Sequence, residues 1–370
     1  MIAASLLIFS VYLLWLLYEK RCIDHARSSF LHVIHVNGIR GKTSVCRMLD
    51  ACLRSQGYRV FTKTTGTTPV YIDTAGAEHP IRRSGPANIR EQIHMMRRAS
   101  REKAEILILE CMAVSPELQK FSQEKIVHGD WNVITNVRYD HIFEMGETLD
   151  EIAESLSSVI PENGLLFTAD SNFYPFFQKK AASAHSEVIL CAAQGQAEGV
   201  DSEDFILPTV RENEAIVSAI AARLGGGAAV PYECREDFGA CRMYPFENGS
   251  FLNLFSVNDP QSTLTLLRHF FPETEEIIFL YNHRPDRPDR LLLFIRWFFP
   301  CVSWKKIIVM GEGAAFAVRK LKASGFQHVE RVKDWREALH TSCSGNMVGI
   351  GNIKGQAYDM ISFLEGGKPA

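Results

Sequence analysis

The chain has 370 residues, 46% of them apolar and 22% charged, with a formal net charge of −3. These values exclude a disordered chain, give no basic footprint for nucleic acid, and allow two ordinary domains, each with its own core. The nine cysteines are scattered with no C-x-x-C pair. A zinc or iron–sulfur reading therefore has nothing to stand on, and reduced, buried thiols are the simplest alternative.

Ile2 to Tyr18 carries no charge and only two serines before Glu19, Lys20 and Arg21. As a helix this run spans about 25 Å, the low end for crossing a bilayer. The charges follow the run instead of preceding it, which argues against a cleaved signal peptide. Lys20, Arg21 and Arg27 favour an uncleaved anchor over residues 1–20, with the N-terminus outside and the rest of the chain cytoplasmic. A buried or interfacial helix is the alternative.

Leu31 to Val36 is a β-branched run and reads as a strand. Thr43 to Gln56 reads as a helix, with Val45, Met48, Leu49, Cys52 and Leu53 along one side, and Gly57 ends it. Further strands are expected at Glu105–Leu109, Asn132–Asn136 and Leu165–Thr168, with helices at Asn88–Arg101 and Thr148–Val159. Gly and Pro cluster at Leu224–Pro231, which suggests a border between a domain over 28–228 and one over 232–370. Beyond it, strands are expected at Phe251–Val257, Glu276–Tyr281, Lys306–Met310 and Met347–Ile350. Helices are expected at Gln261–Phe270, Arg290–Phe298, Gly313–Ala323 and Gly355–Leu364. Strands alternating with helices predict mainly parallel, doubly wound sheets, the second smaller and Rossmann-like.

The segment "VNGIRGKTS" at residues 36–44 lies between the first strand and the first helix of this series. Its Gly-Lys-Thr tail ends as a phosphate loop ends. The long pattern G-x-x-x-x-G-K-[ST], however, would need a Gly at Val36. In a shorter loop Gly38 and Gly41 let the backbone approach phosphate oxygens. Lys42 would then neutralise the β- and γ-phosphates of a nucleotide, and the Thr43 hydroxyl would reach Mg²⁺. The helix N-terminus adds amide donors and a partial positive charge. Glu110 ends the "ILILE" strand, where a carboxylate would serve Mg²⁺; a solvated strand-end Glu is the bland reading. Asp140 and His141 follow the strand at Asn132–Asn136 by a few residues, either as a turn or as part of the same site.

Together these pieces resemble the Mur ligase superfamily of ATP-dependent amide ligases, which includes the folylpolyglutamate synthases. Its short loop G-x-x-G-K-[ST] is matched by Gly38 to Thr43, its second loop T-x-x-G-T by "TKTTGTTP" at Thr62–Pro69, its metal-binding Glu by Glu110, and its N-x-x-x-D-H motif by Asn136, Asp140 and His141. The chain is more similar still to the ligase-subunit family of poly-γ-glutamate synthases (PgsB/CapB). The agreeing blocks include "GPANIREQ", "ECMAVSPELQ", "DHIFEMGETLDEIAESL", "NDPQSTL", "NHRPDRPDR" and "GIGNIKGQA". Two departures from the Mur pattern stand out. Ser155 occupies the place of the carbamylated Lys that many Mur ligases carry, and no UDP-binding domain precedes the loop.

The resemblance implies an ATP-dependent acid–amino-acid ligase that adds glutamate to a growing polyglutamate chain through an acyl phosphate, with two Mg²⁺ ions. It implies that Asn37, Gly38, Arg40, Gly41, Lys42, Thr43, Ser44 and Asn136 line the nucleotide, and that Thr43, Thr65, Glu110 and His141 serve metal. Lys42 and His141 would act in the chemistry, with Asp140 as the amine's base or as the group that orients His141. In the second domain it implies nucleotide contacts by Arg242, Asn258, Asp259, Asn282, Arg284, Asp286 and Arg287; surface ion pairing is the alternative for the arginine-rich loop. Arg82, Asn88, Arg90 and Glu91 lie in a basic stretch that would attract the anionic polymer or form a solvated loop face. The family works with a small multi-span membrane subunit and an extracellular capsule-type subunit, and a homo-oligomer is compatible with it. A relative using another amino acid or acceptor, or a nucleotide-binding adaptor of an export complex, remains an alternative.

Overall fold

The computed structural model describes residues 2–66, 69–83, 85–191, 208–226, 241–246, 249–272, 277–341 and 345–366. Thr67, Thr68 and most of the expected border stretch lie outside them. The chain divides into two compact units. One contains Met1–Val137 and Glu144–Tyr232, the other Arg138–Phe143 and Glu233–Ala370.

The first unit is built on an eight-stranded sheet. Its strands are β1 (His32–Asn37), β2 (Val60–Lys63), β3 (Val70–Ile72), β4 (Glu78–Pro80), β5 (Ile106–Glu110), β6 (Trp131–Ile134), β7 (Leu165–Thr168) and β8 (Glu187–Leu190). They lie in the order β4-β3-β2-β5-β1-β6-β7-β8. β3 and β4 are antiparallel, while the other six strands run parallel. β1 and β5 are buried on both faces, which is why both read as near-continuous apolar runs. The chain leaves β1 toward β2 on one side and returns to β6 on the other, so the segment after β1 occupies a topological switch point. That segment is the expected phosphate loop.

Three helices of this unit matter for the site: α1 (Ile2–Arg27), α2 (Lys42–Ser55) and α3 (Glu91–Arg101). α2 buries Val45, Met48, Leu49, Cys52 and Leu53 as its spacing predicts, together with Cys46 and Asp50. α3 starts three residues later than expected, because the Asn88 side chain accepts from the Arg90 amide and makes a turn there instead. α1 runs seven residues past the expected end of the anchor at residue 20. Its last turns are packed: Ile23 and Ala26 share a core with Ile93, Met96 and Ala99 of α3. Leu6, Ile8, Phe9 and Leu14 are exposed. Among the described residues no helix is long and apolar enough to cross a membrane, so the membrane-spanning character expected of the N-terminal helix lacks that support. The uncharged run stops at Tyr18, and the remaining turns are charged and docked.

Asp130 fastens the end of α1 to the start of the sheet. Its carboxylate accepts from Arg27 at 2.9 Å, from the Val33 amide at 2.7 Å and pairs with His32 at 2.7 Å. Burial presses this carboxyl upward, but His32, the Val33 amide and Arg27 outweigh it and hold its pKa below the ordinary Asp value. The stabilisation is therefore present above the ordinary carboxylate range and lost as pH falls through it toward the folded value. We expect Asp130→Ala to cost about 2 kcal/mol near neutrality and less in acid, read as a shift in the denaturant midpoint at the two pH values.

The second unit has a six-stranded sheet of β9 (Arg242–Phe246), β10 (Gly249–Asn253), β11 (Ile278–His283), β12 (Lys306–Gly311), β13 (Val329–Arg331) and β14 (Gly345–Ile350). The order is β13-β12-β11-β14-β10-β9, and only β9 is antiparallel to its neighbour. β10 stops at Asn253, short of the expected Val257, where the Asn253 side chain accepts from the Phe255 amide and turns the chain. The helix expected at Arg290 begins at Pro288 and becomes a π-helix over Phe294–Phe298. Here the switch point falls at β11 and β14. The chain passes from β11 to β12 and β13 on one side, then returns to β14 on the other.

Candidate active site

The loop after β1 depends on two glycines. Gly38 has φ 120° and Gly41 φ 84°, values that L side chains rarely adopt. A Cβ at Gly38 would stand 2.1 Å from the Thr135 hydroxyl, and one at Gly41 2.5 Å from the Asn213 side-chain oxygen. Gly41 is also the N-cap of α2 and brings no capping side chain, so the first turn presents backbone donors suited to an anion. Ser44 lies half-buried in that turn. Lys42 curls back over the loop and donates to the Gly38 carbonyl at 2.6 Å and the Ile39 carbonyl at 3.3 Å.

Asn136 and Thr135 shape the loop from β6. The Asn136 amide accepts from the Arg40 N–H at 3.0 Å and donates to the Arg40 carbonyl at 3.1 Å, and the Thr135 hydroxyl donates to the same carbonyl at 2.6 Å. Asn37 is buried and donates to Gln119 at 2.7 Å. Both asparagines thus hold the loop's backbone and its strand.

Glu110 is nearly buried at the end of β5. One carboxylate oxygen accepts from the Thr43 hydroxyl at 2.9 Å and from the Thr65 amide at 2.6 Å. Thr43, Glu110 and the second loop therefore meet at one point beside the phosphate loop. Thr65 is brought there by its backbone. Among the described residues no three His, Cys, Asp or Glu side chains gather into a metal cage. Mg²⁺ does not need one: in nucleotide sites it keeps waters and takes one or two carboxylates or hydroxyls plus phosphate oxygens. The hard-oxygen pair Thr43 and Glu110 next to an anion cradle fits that ion. The neighbouring thiols are inert. Burial pushes the Cys111 thiol up to about 11 and also holds Cys46 well above the ordinary thiol value.

Asn213 was not marked in the sequence. It lies in the helix Pro208–Arg223 against Gly41, almost fully buried, with a side-chain oxygen that has no hydrogen-bond partner among the described residues. The only clue was a polar residue within an otherwise apolar stripe, "NEAIVSAIAA".

Asp140 and His141 belong to the second unit. Asp140 is buried, ion-paired with Arg287, and 3.8 Å from Arg290. Arg287 also donates to Asp289 at 3.2 and 3.1 Å. The Asp140 carboxylate in turn accepts from the His141 amide at 2.9 Å, and His141 has φ 52°. Arg290, the last residue of the "NHRPDRPDR" block, continues the network to Asn352. Asn282 donates to the Asn352 and Lys354 carbonyls at 2.6 and 2.7 Å. Arg284 pairs with its neighbour Asp286. These two side chains, with Asn282, His283, Glu312 and Lys354, line a crevice of about 640 Å³ at the ends of β11, β12 and β14. Asp259 caps the helix Pro260–Phe270 by accepting from the Ser262 amide at 2.8 Å. The preceding Asn258 keeps a buried oxygen without a partner among the described residues. Arg242 is exposed at the start of β9.

In the basic stretch Arg82 and Asn88 are exposed. Glu91 accepts from Arg83 at 2.7 and 3.0 Å and pairs with Lys63 at 2.8 Å. Arg90 pairs with Glu19 and lies over the Trp15 ring, 5.2 Å from its centroid.

Residues 36–222 match the Mur ligase middle domain family, and residues 243–367 match the poly-gamma-glutamate synthase CapB C-terminal domain family. The chain is 33% identical to the PGA synthase CapB of Bacillus subtilis, over 90% of this chain and 89% of that one. It is 32% identical to the capsule biosynthesis protein CapB of Bacillus anthracis, over 94% and 79%. Its fold is similar to that of a bifunctional folylpolyglutamate synthase/dihydrofolate synthase solved with Mn, AMPPNP and L-glutamate bound, at TM-score 0.59, 15% identity and 93% of each chain. At such identity the structural likeness speaks for the fold, but the sequence relatives go further. Identity of that size over so much of both chains settles the family: the chain belongs to the CapB family of poly-γ-glutamate synthases, a branch of the Mur ligases.

Proposed function

We propose that the chain is an ATP-dependent ligase that joins glutamate to a growing poly-γ-glutamate chain through an acyl phosphate. The observation that carries this reading is the meeting of Thr43, Glu110 and the second loop beside an anion cradle. A polymer carboxylate attacks the γ-phosphorus of ATP, and the bond to ADP breaks. The neutral amine of the incoming glutamate then attacks the acyl carbon, the C–O bond to phosphate breaks, and the amine's proton leaves with the phosphate or to water. The first step brings an anion onto an anion, so the protein must lower that repulsion. Lys42 and the first turn of α2 do so at the phosphates. Glu110 and Thr43 would hold Mg²⁺, which when bound neutralises phosphate charge. His141 would hold a second Mg²⁺, as the family resemblance implies. Asp140, already committed to Arg287 and to the His141 amide, fits the role of orienting His141 better than that of a base.

In the second unit, Asn282, Lys354 and the Arg284–Asp286 pair line the crevice at the sheet's switch point, where open α/β sheets bind ligands. Arg284 would contact a phosphate or carboxylate there by exchanging Asp286 for it. Within the second unit the family resemblance also assigns Arg242, Asn258 and Asp259 to nucleotide, Asp259 through its helix cap. Exposed Arg82 would draw the polymer by long-range attraction, screened by salt.

Incubation with ATP, glutamate and hydroxylamine is expected to trap the acyl phosphate as a hydroxamate alongside ADP. ADP release without hydroxamate or polymer in the complete synthase would remove the ligase reading and favour an adaptor. Comparing ADP release across amino acids tests glutamate as the substrate. We further propose that α1 holds the chain at the bacterial membrane beside a small multi-span subunit and an extracellular capsule-type subunit, with both units cytoplasmic. The exposed apolar residues along Leu6–Tyr18 support this. Release of the full chain from membranes by alkaline carbonate would count against it.

A further inference from the structure

Thr135 stands just past the end of β6, fully buried, and its amide donates to the Asn37 carbonyl at 3.0 Å. Its hydroxyl meets the phosphate loop. A Cβ at Gly38 would lie 2.1 Å from that oxygen, so the space a side chain at position 38 would fill belongs to Thr135. The hydroxyl donates to the Arg40 carbonyl at 2.6 Å, and the Asn136 side chain donates to the same oxygen at 3.1 Å. Two donors at the end of β6 thus draw that carbonyl toward them and occupy both of its lone pairs. The peptide between Arg40 and Gly41 is trans and planar, so its N–H points the opposite way from its C=O. Fixing the Arg40 carbonyl therefore fixes the Gly41 N–H, directed away from Thr135 and Asn136. Gly41 is the N-cap of α2, which sets this N–H beside the first amides of that helix.

We propose that Thr135 is a positioning residue that, by holding the Arg40 carbonyl, aims the Gly41 N–H at a phosphate of the bound nucleotide. This rests on the reading of the loop as a phosphate cradle. The latch is needed because residue 41 is a glycine. Its φ of 84° can be reversed at little steric cost, so the chain itself does not prevent the 40–41 peptide from turning over. A peptide turned over would present a carbonyl oxygen to the anion where an amide should stand. Asn136 keeps the longer of the two bonds, so loss of the Thr135 hydroxyl loosens the carbonyl without freeing it.

The test measures binding of a non-hydrolysable ATP analogue with Mg²⁺ by isothermal calorimetry on the full chain in detergent, with thermal unfolding recorded for every variant. Thr135→Val, which keeps the shape and loses the donor, is expected to weaken the analogue about tenfold. Thr135→Ser, which keeps the hydroxyl, is expected to bind within about threefold of the parent. Val133→Ala, on the same strand and in the core, gauges lost stability by itself. It is expected to lower the unfolding temperature and leave the analogue's affinity unchanged. Parent-like affinity in Thr135→Val overturns the proposal, and so does an equal loss in Thr135→Ser. A loss in Val133→Ala as large as that in Thr135→Val assigns the effect to stability and overturns it too. Should Thr135→Val fail to fold, Thr135→Ala takes its place with the same expectations. Lys42→Ala keeps the two readings apart. If it leaves the analogue's affinity unchanged, the cradle reading fails; if it weakens binding while Thr135→Val does not, only the present proposal fails.

Discussion

Lys42→Ala is expected to lower glutamate-dependent ADP release by at least about 10³-fold, the range seen when a charge that stabilises a transferring phosphoryl group is removed. Lys42 extends from the first position of α2 and lies across the Gly38 and Ile39 carbonyls. Both carbonyls belong to the loop that starts at Gly38, so the ammonium is held against the loop that would receive the phosphates. The two carbonyls it reaches are neutral oxygens, which phosphate oxygens can replace. Removing it should leave the fold almost intact, within about 1 kcal/mol, which separates loss of chemistry from loss of structure. Lys42→Arg should recover little, because a planar fork does not replace a compact ammonium on a narrow loop. ADP release at saturating ATP, set beside the hydroxamate yield, checks both statements. Turnover by Lys42→Ala within about tenfold of the parent would remove the loop from the mechanism.

Glu110→Ala is expected to cost about 10²- to 10⁴-fold in turnover and to raise the Mg²⁺ concentration needed for half-maximal rate. It acts twice. It removes the carboxylate at the loop, and it strands the Thr43 hydroxyl and the Thr65 amide, which both donate to the same Glu110 oxygen. The second effect lowers stability by about 1–3 kcal/mol, so Glu110→Gln, which retains an acceptor, is the cleaner comparison. A shift in the Mg²⁺ dependence that persists in Glu110→Gln assigns the loss to metal. If the complete synthase made polymer with Glu110→Ala at the parent rate, the metal assignment would fall.

Much of the fold was legible because its signals are local. β7 runs over Leu165–Thr168, as the sequence predicts, and the apolar side of α2 is the predicted one. Each is a short periodic pattern with clear ends. The strands β3, β4 and β13 escaped notice because each has only three residues, too few for alternation to register. At the site, the loop and Glu110 were legible from their placement at strand ends. The partners of Asp140 were not: Arg287 and Arg290 come from a helix start far along the chain. Glu91 and Arg90 read as a basic surface stretch, whereas their side chains are committed to Lys63, Arg83, Glu19 and Trp15.

The sequence by itself determined the features that one peptide segment can specify. Glycine at positions 38 and 41 permits the left-handed backbone of a phosphate loop, and a helix beginning at once behind it supplies amide donors and a dipole. An apolar strand ending in Glu110 brings a carboxylate to the sheet's edge. Only the tertiary structure decided which charges neutralise one another. Lys63 meets Glu91, Asp140 meets Arg287, and Asn213 covers Gly41. Such pairings are set by strand order and helix packing, and a buried charge takes whichever opposite charge the fold places within reach.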